Sequence, residues 1–463
     1  MKVRRSLGET HDTIAAIITP PGEGGVAAIR VAGPRAQEIL RQFFHPRKSS
    51  QKTATPFVMR LGVFQSPSNE VIDEVLAVYM PAGNSYTGFE QIEIFCHGGR
   101  AVTRKILGLI LKADIRSAEP GEFTRLAFEN GRIDLAKAEA VAEVISAQTE
   151  ASLMTSREHL LGHYSEHIDS LRESLLVVLS EVEAGIDFSD DAPEVRVDAS
   201  ARVVAIDRAI EQITTLVDSY EGGRIIDEGF TVAIGGRPNA GKSSLFNLLL
   251  RKERALVTAT PGTTRDYLTE QIDLGGYLVN LVDTAGLRSG GGKIERAGQK
   301  KAHEIISKSD LLVWLTDLSS RGWQSALNHD MKSQKQDNIL ILGNKLDIAK
   351  KAESKQVGKV DLSISCKTSA GLDKFKAEII RRIEQTLPDK TSGLIVTSHR
   401  HKQKLAASLR YLKSARRKLA ATVSGELIAF DLRHAVTALA EITGKVYTEQ
   451  VLGRIFSKFC IGK

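Results

Sequence analysis

Residues 236–243 read Gly-Arg-Pro-Asn-Ala-Gly-Lys-Ser, the G-x-x-x-x-G-K-[ST] spacing whose backbone N–H groups wrap phosphate oxygens. The β-branched run Thr231-Val232-Ala233-Ile234 precedes it, and Leu245, Leu248 and Leu249 follow, so the spacing predicts strand, glycine loop, helix. In that setting the loop amides and the helix N-terminus cradle phosphates, Lys242 reaches the β- and γ-phosphates, and Ser243 ligates Mg²⁺. A glycine turn that merely matches the spacing is the bland alternative, and the downstream residues argue against it. Gly262-Thr263-Thr264-Arg265-Asp266 offers a second hydroxyl to Mg²⁺, from Thr264. A strand over 279–282 runs into Asp283-Thr284-Ala285-Gly286, where a carboxylate suits the metal's water shell and a glycine N–H suits the γ-phosphate. Asn344-Lys345-Leu346-Asp347 follows a strand over 339–342. Its Asp347 can accept from the N1–H and exocyclic amine of guanine, a donor pair adenine lacks. Ser365-Cys366-Lys367 closes the base pocket after another strand. Five motifs in this order, each at a strand end, specify a GTP-hydrolysing domain over 224–386.

One position is informative by what it lacks. Many GTPases place a water-orienting Gln directly after Asp-x-x-Gly; Leu287 stands there and cannot orient water. Catalysis must then draw on another group or a cation. Gly290-Gly291-Gly292 loosens the following loop, and Glu295 is its first acid. Read unaided, Glu295 is equally a solvated loop charge and a water-positioning group. The motif set resembles the translation-factor-related class of small GTPases.

These residues need elements to hold them. Short apolar runs at 14–18, 26–31, 75–79 and 92–95, set between Gly/Pro turns and joined by a helical stretch near 102–111, read as α+β. Ile168, Leu171, Leu175, Leu179, Val182 and Ile186 line one helix face, which acidic turn residues break at 187–193. A second helix carries Ile206, Ile210, Ile213, Leu216 and Tyr220 and is expected to stop at Gly222-Gly223. From 230 to 383, strand and helix patterns alternate, the mark of a mostly parallel sheet wrapped by helices. Leu405, Leu409, Leu412 and Leu419 then restore helical periodicity. Amphipathic stripes must be buried, so the two helical stretches are expected to pack as one domain with the α/β segment inserted between them.

Composition narrows the classes. A chain of 463 residues, 42% hydrophobic and 26% charged, has the apolar content for about three packed domains. Aromatics at 5% argue against an extended base-stacking surface. The net charge of +7 permits an anionic partner without demanding one. Cys96, Cys366 and Cys460 are far apart with no Cys-x-x-Cys pair, which argues against a disulfide framework or a zinc site and fits a reducing cytoplasm. Lys2, Arg4 and Arg5 lead into no signal-peptide core, and no apolar run reaches the roughly 18 residues of a membrane span. A cytoplasmic protein without a membrane partner is expected.

Outside the GTPase motifs stand Pro20-Pro21-Gly22-Glu23-Gly24-Gly25-Val26, Tyr86-Thr87-Gly88, Glu93, His97-Gly98-Gly99 and Pro120-Gly121-Glu122-Phe123-Thr124. The chain ends Leu452-Gly453-Arg454-Ile455-Phe456-Ser457-Lys458-Phe459-Cys460-Ile461-Gly462-Lys463. With the Gly-Arg-Pro-Asn-Ala-Gly-Lys-Ser-Ser loop, these resemble the bacterial tRNA uridine-5-carboxymethylaminomethyl modification GTPases (MnmE, also TrmE) over essentially the whole chain. The Phe-Cys-Ile-Gly-Lys terminus is the most specific element beyond the GTPase motifs.

The resemblance implies a multidomain α/β plus α fold: an N-terminal α+β folate-binding-like domain, and a helical domain split by an inserted Ras-like P-loop GTPase domain. Its boundaries fall at 1–130 for the dimerisation and tetrahydrofolate-binding domain and 131–223 for the first helical part. The GTPase domain takes 224–386, and 387–463 completes the helical domain. It implies a homodimer, a partner protein (MnmG) that uses FAD and NADH, and tRNA as substrate. Together these would build a carboxymethylaminomethyl or aminomethyl group on C5 of the wobble uridine, with 5-formyl- or methylene-tetrahydrofolate as carbon carrier. K⁺ would replace an arginine finger, held by Asn239, Thr258, Thr260 and Thr263, while Glu295, in Glu-Arg-x-Gly, would serve hydrolysis. Folate would meet Arg30, Glu93, Arg132 and Lys463, and Cys460 would be the reactive thiol. Two positions depart from the family pattern: Phe89 where an acid is usual, beside Glu90, and Arg132 where Lys can occur. The full expected GTP-binding set is Asn239, Ala240, Gly241, Lys242, Ser243, Ser244, Thr258, Thr263, Thr264, Asp283, Thr284, Ala285, Gly286, Asn344, Lys345, Asp347, Ser365, Cys366 and Lys367, with Ser243 and Thr264 on Mg²⁺ and Lys242 in the catalytic set.

Unaided, Arg30 and Glu93 read as an edge-strand charge and a solvated face, His97 as a turn histidine, and Cys460 among Phe456, Phe459 and Ile461 as a small buried hydrophobe. Residues 400–418 hold eight Lys/Arg and no Asp/Glu. They read as a solvated helix face or as a tRNA backbone contact sensitive to salt. Two rival functions remain: a ribosome-assembly GTPase, and a nucleotide-dependent scaffold with negligible turnover. The intact Lys242, Ser243 and Thr264 argue against the scaffold; folate binding would discriminate the first.

Overall fold

The computed structural model describes residues 12–47, 55–187, 199–255, 269–283, 306–307, 309–332, 338–349, 360–387, 394–421 and 423–463. In chain order its elements begin β1 (Ile14–Ile17), β2 (Gly24–Ala32), α1 (Ala36–Phe43), β3 (Phe44–Pro46), β4 (Arg60–Gln65), β5 (Val71–Met80), β6 (Gln91–Gly98), α2 (Arg100–Lys112), β7 (Arg116–Ser117) and α3 (Glu122–Glu129). Then come α4 (Leu135–Ser146), α5 (Glu150–Leu161), α6 (His163–Asp187), α7 (Ala199–Asp218), α8 (Tyr220–Glu228), β8 (Phe230–Gly236), α9 (Lys242–Lys252), β9 (Arg254–Ala255), β10 (Thr269–Leu274) and β11 (Tyr277–Asp283). The last are β12 (Leu311–Asp317), α10 (Trp323–Met331), β13 (Ile339–Asn344), β14 (Leu362–Ser363), α11 (Leu372–Thr386), α12 (His399–Ala420), α13 (Gly425–Thr443) and α14 (Glu449–Phe456). The chain divides into two compact units: Met1–Ala142 with His159–Ala192 and Gly425–Lys463, and Glu143–Glu158 with Pro193–Ser424.

The first unit is built on a seven-stranded sheet in the order β3-β4-β5-β6-β2-β1-β7. Side chains alternate across a strand, so Ile29, Val31, Ile92 and Ile94 enter one core while Arg30 and Glu93 point to the other face. That core is closed by Ile39 and Phe43 of α1 and by Ile106 and Ile110 of α2. Each side chain of this size contributes about 1.5–3 kcal/mol when fully buried. On the opposite face Ile14, Ala16 and Ala32 meet Phe123 of α3. A further cluster joins Phe128 and Leu135 to Leu452, Ile455, Phe456 and Phe459, so the C-terminal helix α14 is seated beside α3. Helix α6 packs along α13, with Glu183–Arg433 and Asp169–Lys445 ion pairs between them.

The second unit holds a seven-stranded sheet in the order β14-β13-β12-β8-β11-β10-β9, parallel from β14 to β11 with β10 and β9 antiparallel at one edge. Parallel strands covered on both faces read as unbroken apolar runs, as residues 311–315 of β12 do. One face is packed by Leu245 and Leu249 of α9 and by Phe375, Ile379 and Ile383 of α11. The other is packed by Trp323 and Leu327 of α10 on Ala233, Leu312 and Trp314. Helix α7, before the α/β segment, packs on α12, after it.

One expectation fails here. The second helix does not stop at Gly222-Gly223: the chain bends at Ser219, and α8 runs straight through both glycines. Gly223 serves close approach instead, because a Cβ there would lie 2.1 Å from the Val396 carbonyl oxygen. Ser219 Oγ accepts from Val396 N at 3.1 Å, which seats the same segment against the bend.

Candidate functional site

The loop after β8 is held in a shape that side chains resist. Gly236 has φ +139 and Gly241 φ +99, and a Cβ at either would lie 2.3 Å from Leu315 O or 2.2 Å from Asn344 Nδ2. Asn239 takes φ +63, a conformation Asn tolerates better than most residues. Gly241 then caps α9, whose first turn is bonded back to it (Leu245 N to Gly241 O, 2.9 Å). Lys242 is buried, and its Nζ donates to the carbonyls of Gly236 (3.1 Å) and Arg237 (2.9 Å), which orients the ammonium within the loop.

Neighbouring strands bring the partners. Parallel pairing sets Asp283, the last residue of β11, opposite Ile234 of β8. There Asp283 Oδ2 accepts from Ser243 Oγ at 3.2 Å. A hydroxyl and a carboxylate together are hard oxygen donors, which fits Mg²⁺ rather than a soft metal. Asn344 ends β13 and donates through Nδ2 to Ala240 O (2.9 Å), while its Oδ1 accepts from Cys366 N (3.1 Å). One buried amide thereby ties three motif loops together. Ser365 Oγ donates to Asp347 Oδ1 (2.7 Å), holding the carboxylate expected to read guanine. Burial pushes the Cys366 thiol up to about 11, so it stays neutral beside Asn344.

Two features escaped the sequence reading. Asp317, ending β12, takes Lys345 Nζ at 2.6 Å. Partial burial opposes its ionisation, yet hydrogen bonds from Lys345 and Ser319 outweigh that and hold its carboxyl below the usual range. The only signal was an acid closing an apolar run. Arg237, in the phosphate loop, forms a two-point pair with Asp330 of α10 (Nε 2.8 Å, Nη2 2.8 Å), a contact with no sequence signature. Among the expected residues, Thr258, Thr260, Thr263, Thr264, Thr284, Ala285, Gly286 and Glu295 lie outside the described residues.

A second cluster forms in the other unit. The β2–β6 register sets Arg30 opposite Glu93, and both Arg30 Nε (2.9 Å) and Nη2 (2.8 Å) reach Glu93 Oε1. The guanidinium lies 5.2 Å from the Tyr86 ring centroid and 5.4 Å from that of Phe123. The tail is docked here: Ile461 bridges Pro120, and Phe123 N donates to Lys463 O at 3.1 Å. Burial lowers the Lys463 ammonium pKa and the nearby Arg30 charge adds to the effect, with Glu93 and Cys460 opposing. Arg30, Glu93 and Lys463 are thus brought together. Arg132 instead bonds Gly83 O (2.8 Å), at the base of the turn carrying Tyr86. Arg30 and Glu93 form a half-buried pair, not the edge charge and solvated face of the unaided reading. Cys460 is exposed although Phe456 and Phe459 are buried, so it is not the small buried hydrophobe that local composition suggests. His97 is exposed and set against Asp73 (Nδ1 to Oδ1, 2.7 Å).

The chain matches the family description of the GTP-binding protein TrmE N-terminus over residues 13–132, and of the MnmE helical domain over 135–460. It is 39% identical to the tRNA modification GTPase MnmE of Natranaerobius thermophilus, across 98% of this chain and 100% of that protein. The tRNA modification GTPase MnmE of Carboxydothermus hydrogenoformans is likewise 39% identical, with the same coverage. The chain belongs to the MnmE family. Membership makes it a GTP hydrolase, and MnmE relatives match at both ends, so the family extends well beyond the phosphate loop. Among solved structures, the G domain of the T. maritima FeoB iron transporter is 23% identical over 33% of this chain and 98% of that one, at a TM-score of 0.26. Among the described residues of this MnmE chain, no helix is long and apolar enough to cross a membrane.

Proposed function

We propose that this chain is a potassium-stimulated GTPase that, with an FAD- and NADH-using partner (MnmG), takes part in adding a carboxymethylaminomethyl or aminomethyl group to C5 of the wobble uridine of certain tRNAs. The observation that carries the nucleotide half is the convergence of Lys242, Ser243, Asp283, Asn344 and Asp347 at the carboxyl ends of the parallel strands. Lys242 stabilises charge on the phosphates, and Asp347 selects guanine. Ser243 and Thr264 hold Mg²⁺, which when bound neutralises charge developing between the phosphates. Asn239, Thr258, Thr260 and Thr263 hold K⁺ in place of an arginine finger, and Glu295 positions the attacking water that Leu287 cannot. Hydrolysis then works as a timed conformational switch, while the one-carbon chemistry lies elsewhere in the complex.

For that chemistry, Arg30, Glu93, Arg132 and Lys463 take 5-formyl- or methylene-tetrahydrofolate, and exposed Cys460 is the candidate thiol. The half-buried Arg30–Glu93 pair beside Lys463 supports this reading, since ionic groups facing two aromatic rings suit a flat, charged ligand. The protein acts in the cytoplasm as a homodimer, joined through residues 1–130. The rival reading as a ribosome-assembly GTPase leaves the N-terminal match unexplained.

The test is multiple-turnover phosphate release in KCl and in NaCl at matched ionic strength, with Asn239→Ala alongside. Strong stimulation by KCl that the substitution abolishes is expected. Equal rates in both salts would remove the potassium reading and reopen the rival.

A further inference from the structure

Helix α12 turns Leu405, Ser408, Leu412 and Ala415 inward against α7. Its outward side carries the acid-free basic run, and five of those eight cations fall into two groups. Arg416 is paired with Asp207 (2.8 Å) and Lys402 with Glu221 (3.1 Å), as expected for an ordinary solvated face. Arg410, Lys413 and Arg417 are exposed, and none of them meets a carboxylate among the described residues. Their three- and four-residue spacing puts them on one face, along about 10 Å of helix. Like charges so spaced destabilise a helix, and the local compensation is small: Arg410 lies 5.1 Å from the Tyr411 ring centroid and Arg417 sits in the last turn of α12. They edge a groove of about 690 Å³ between α7 and α12, whose apolar floor includes Ile210 and Leu409 and whose lining also takes in Arg416.

We infer that this groove is a docking surface for the sugar–phosphate backbone of tRNA. Guanidinium forks and an ammonium in a row match consecutive phosphates, and the apolar floor accepts the sugars between them. Charge complementarity decides the occupant: three cations that meet no carboxylate among the described residues fit a polyanion, and no aromatic side chain is among the described residues lining the groove, so contacts are to backbone rather than to sequence. The inference rests on the reading that the chain acts on tRNA. It adds where that tRNA touches the protein, through residues that belong to neither candidate site described above.

The test is tRNA binding by the full chain across a salt series, for the unaltered protein, for Arg410→Glu/Lys413→Glu/Arg417→Glu, and for Arg410→Lys/Arg417→Lys. Charge reversal is expected to cut affinity at least tenfold near physiological salt and to flatten the log affinity–log salt slope by about two to three. The charge-conserving pair should keep most of that slope, which a merely structural role for these side chains would not predict. Binding by the reversed variant with an unchanged slope would overturn the inference and leave the tRNA reading standing. An unaltered chain with no affinity for tRNA would overturn both.

Discussion

The two candidate sites are built in opposite ways. The nucleotide site grows from one continuous loop, and its other members sit at the ends of parallel neighbours β11, β12 and β13, where the α/β architecture delivers them side by side. The N-terminal cluster is assembled from residues 30, 93 and 463, held by an antiparallel register and by a docked chain terminus. In the first, backbone amides and a single buried Asn344 do most of the positioning. In the second, an ion pair stacked on two rings does it. A site made from a loop tolerates change around it, whereas a site made from distant strands depends on their register.

That contrast can be broken or sharpened by experiment. Lys242→Ala should have the largest effect, lowering GTP turnover at least about a hundredfold by removing a preorganised cation; phosphate release within a few-fold of the unaltered chain would refute the assigned role. Glu93→Gln leaves the Arg30 guanidinium half-buried without a carboxylate, so β2 and β6 amides should lose about 2–3 kcal/mol of protection in hydrogen exchange. GTP turnover should hardly change, and a large fall in turnover would show that the two sites are not independent constructions. Gly223→Ala should destabilise the second unit by about 1–2 kcal/mol, the clash at Val396 O exceeding the gain of about 1 kcal/mol in helix propensity. Gly453→Ala, in α14 with nothing within 4 Å, should instead stabilise slightly; equal effects in thermal unfolding would remove the close-approach account. The smallest effect concerns thiols. Burial raises Cys96 and Cys366 to about 11, so both stay protonated and slow at pH 8, and alkylation should mark exposed Cys460 first. The order should hold until pH climbs towards 11, and early modification of Cys366 would mean that the base pocket opens readily.

Much of the nucleotide site was legible because its chemistry is local. Phosphate binding needs glycines at fixed offsets and a Lys-Ser pair at a helix start, and the proposed guanine reading needs an acid three residues after an Asn, the spacing of Asn344 and Asp347. Alternating strands and helices likewise announce a parallel sheet. Asp317 and the Arg237–Asp330 pair were not legible, since a lone acid at a strand end looks the same whether solvated or paired across the fold. Gly222-Gly223 misled for a related reason: a glycine pair signals a helix stop by propensity, worth only about 1 kcal/mol per residue, and a close tertiary contact outweighs it.

By itself the sequence determined which groups could touch a nucleotide, because backbone conformation and short-range spacing fix those positions within a few residues. It also determined that helices on either side of the α/β segment carry stripes needing burial. Only the tertiary structure decided that Arg30 faces Glu93, that Lys463 returns to the first sheet, and that Cys460 stays exposed beside two buried phenylalanines. It likewise decided that, among the described residues, Arg410, Lys413 and Arg417 meet no carboxylate while Arg416 meets Asp207. These outcomes depend on strand register, chain-terminus docking and helix pairing, which are settled by the free energy of the whole core and leave no mark at any single position.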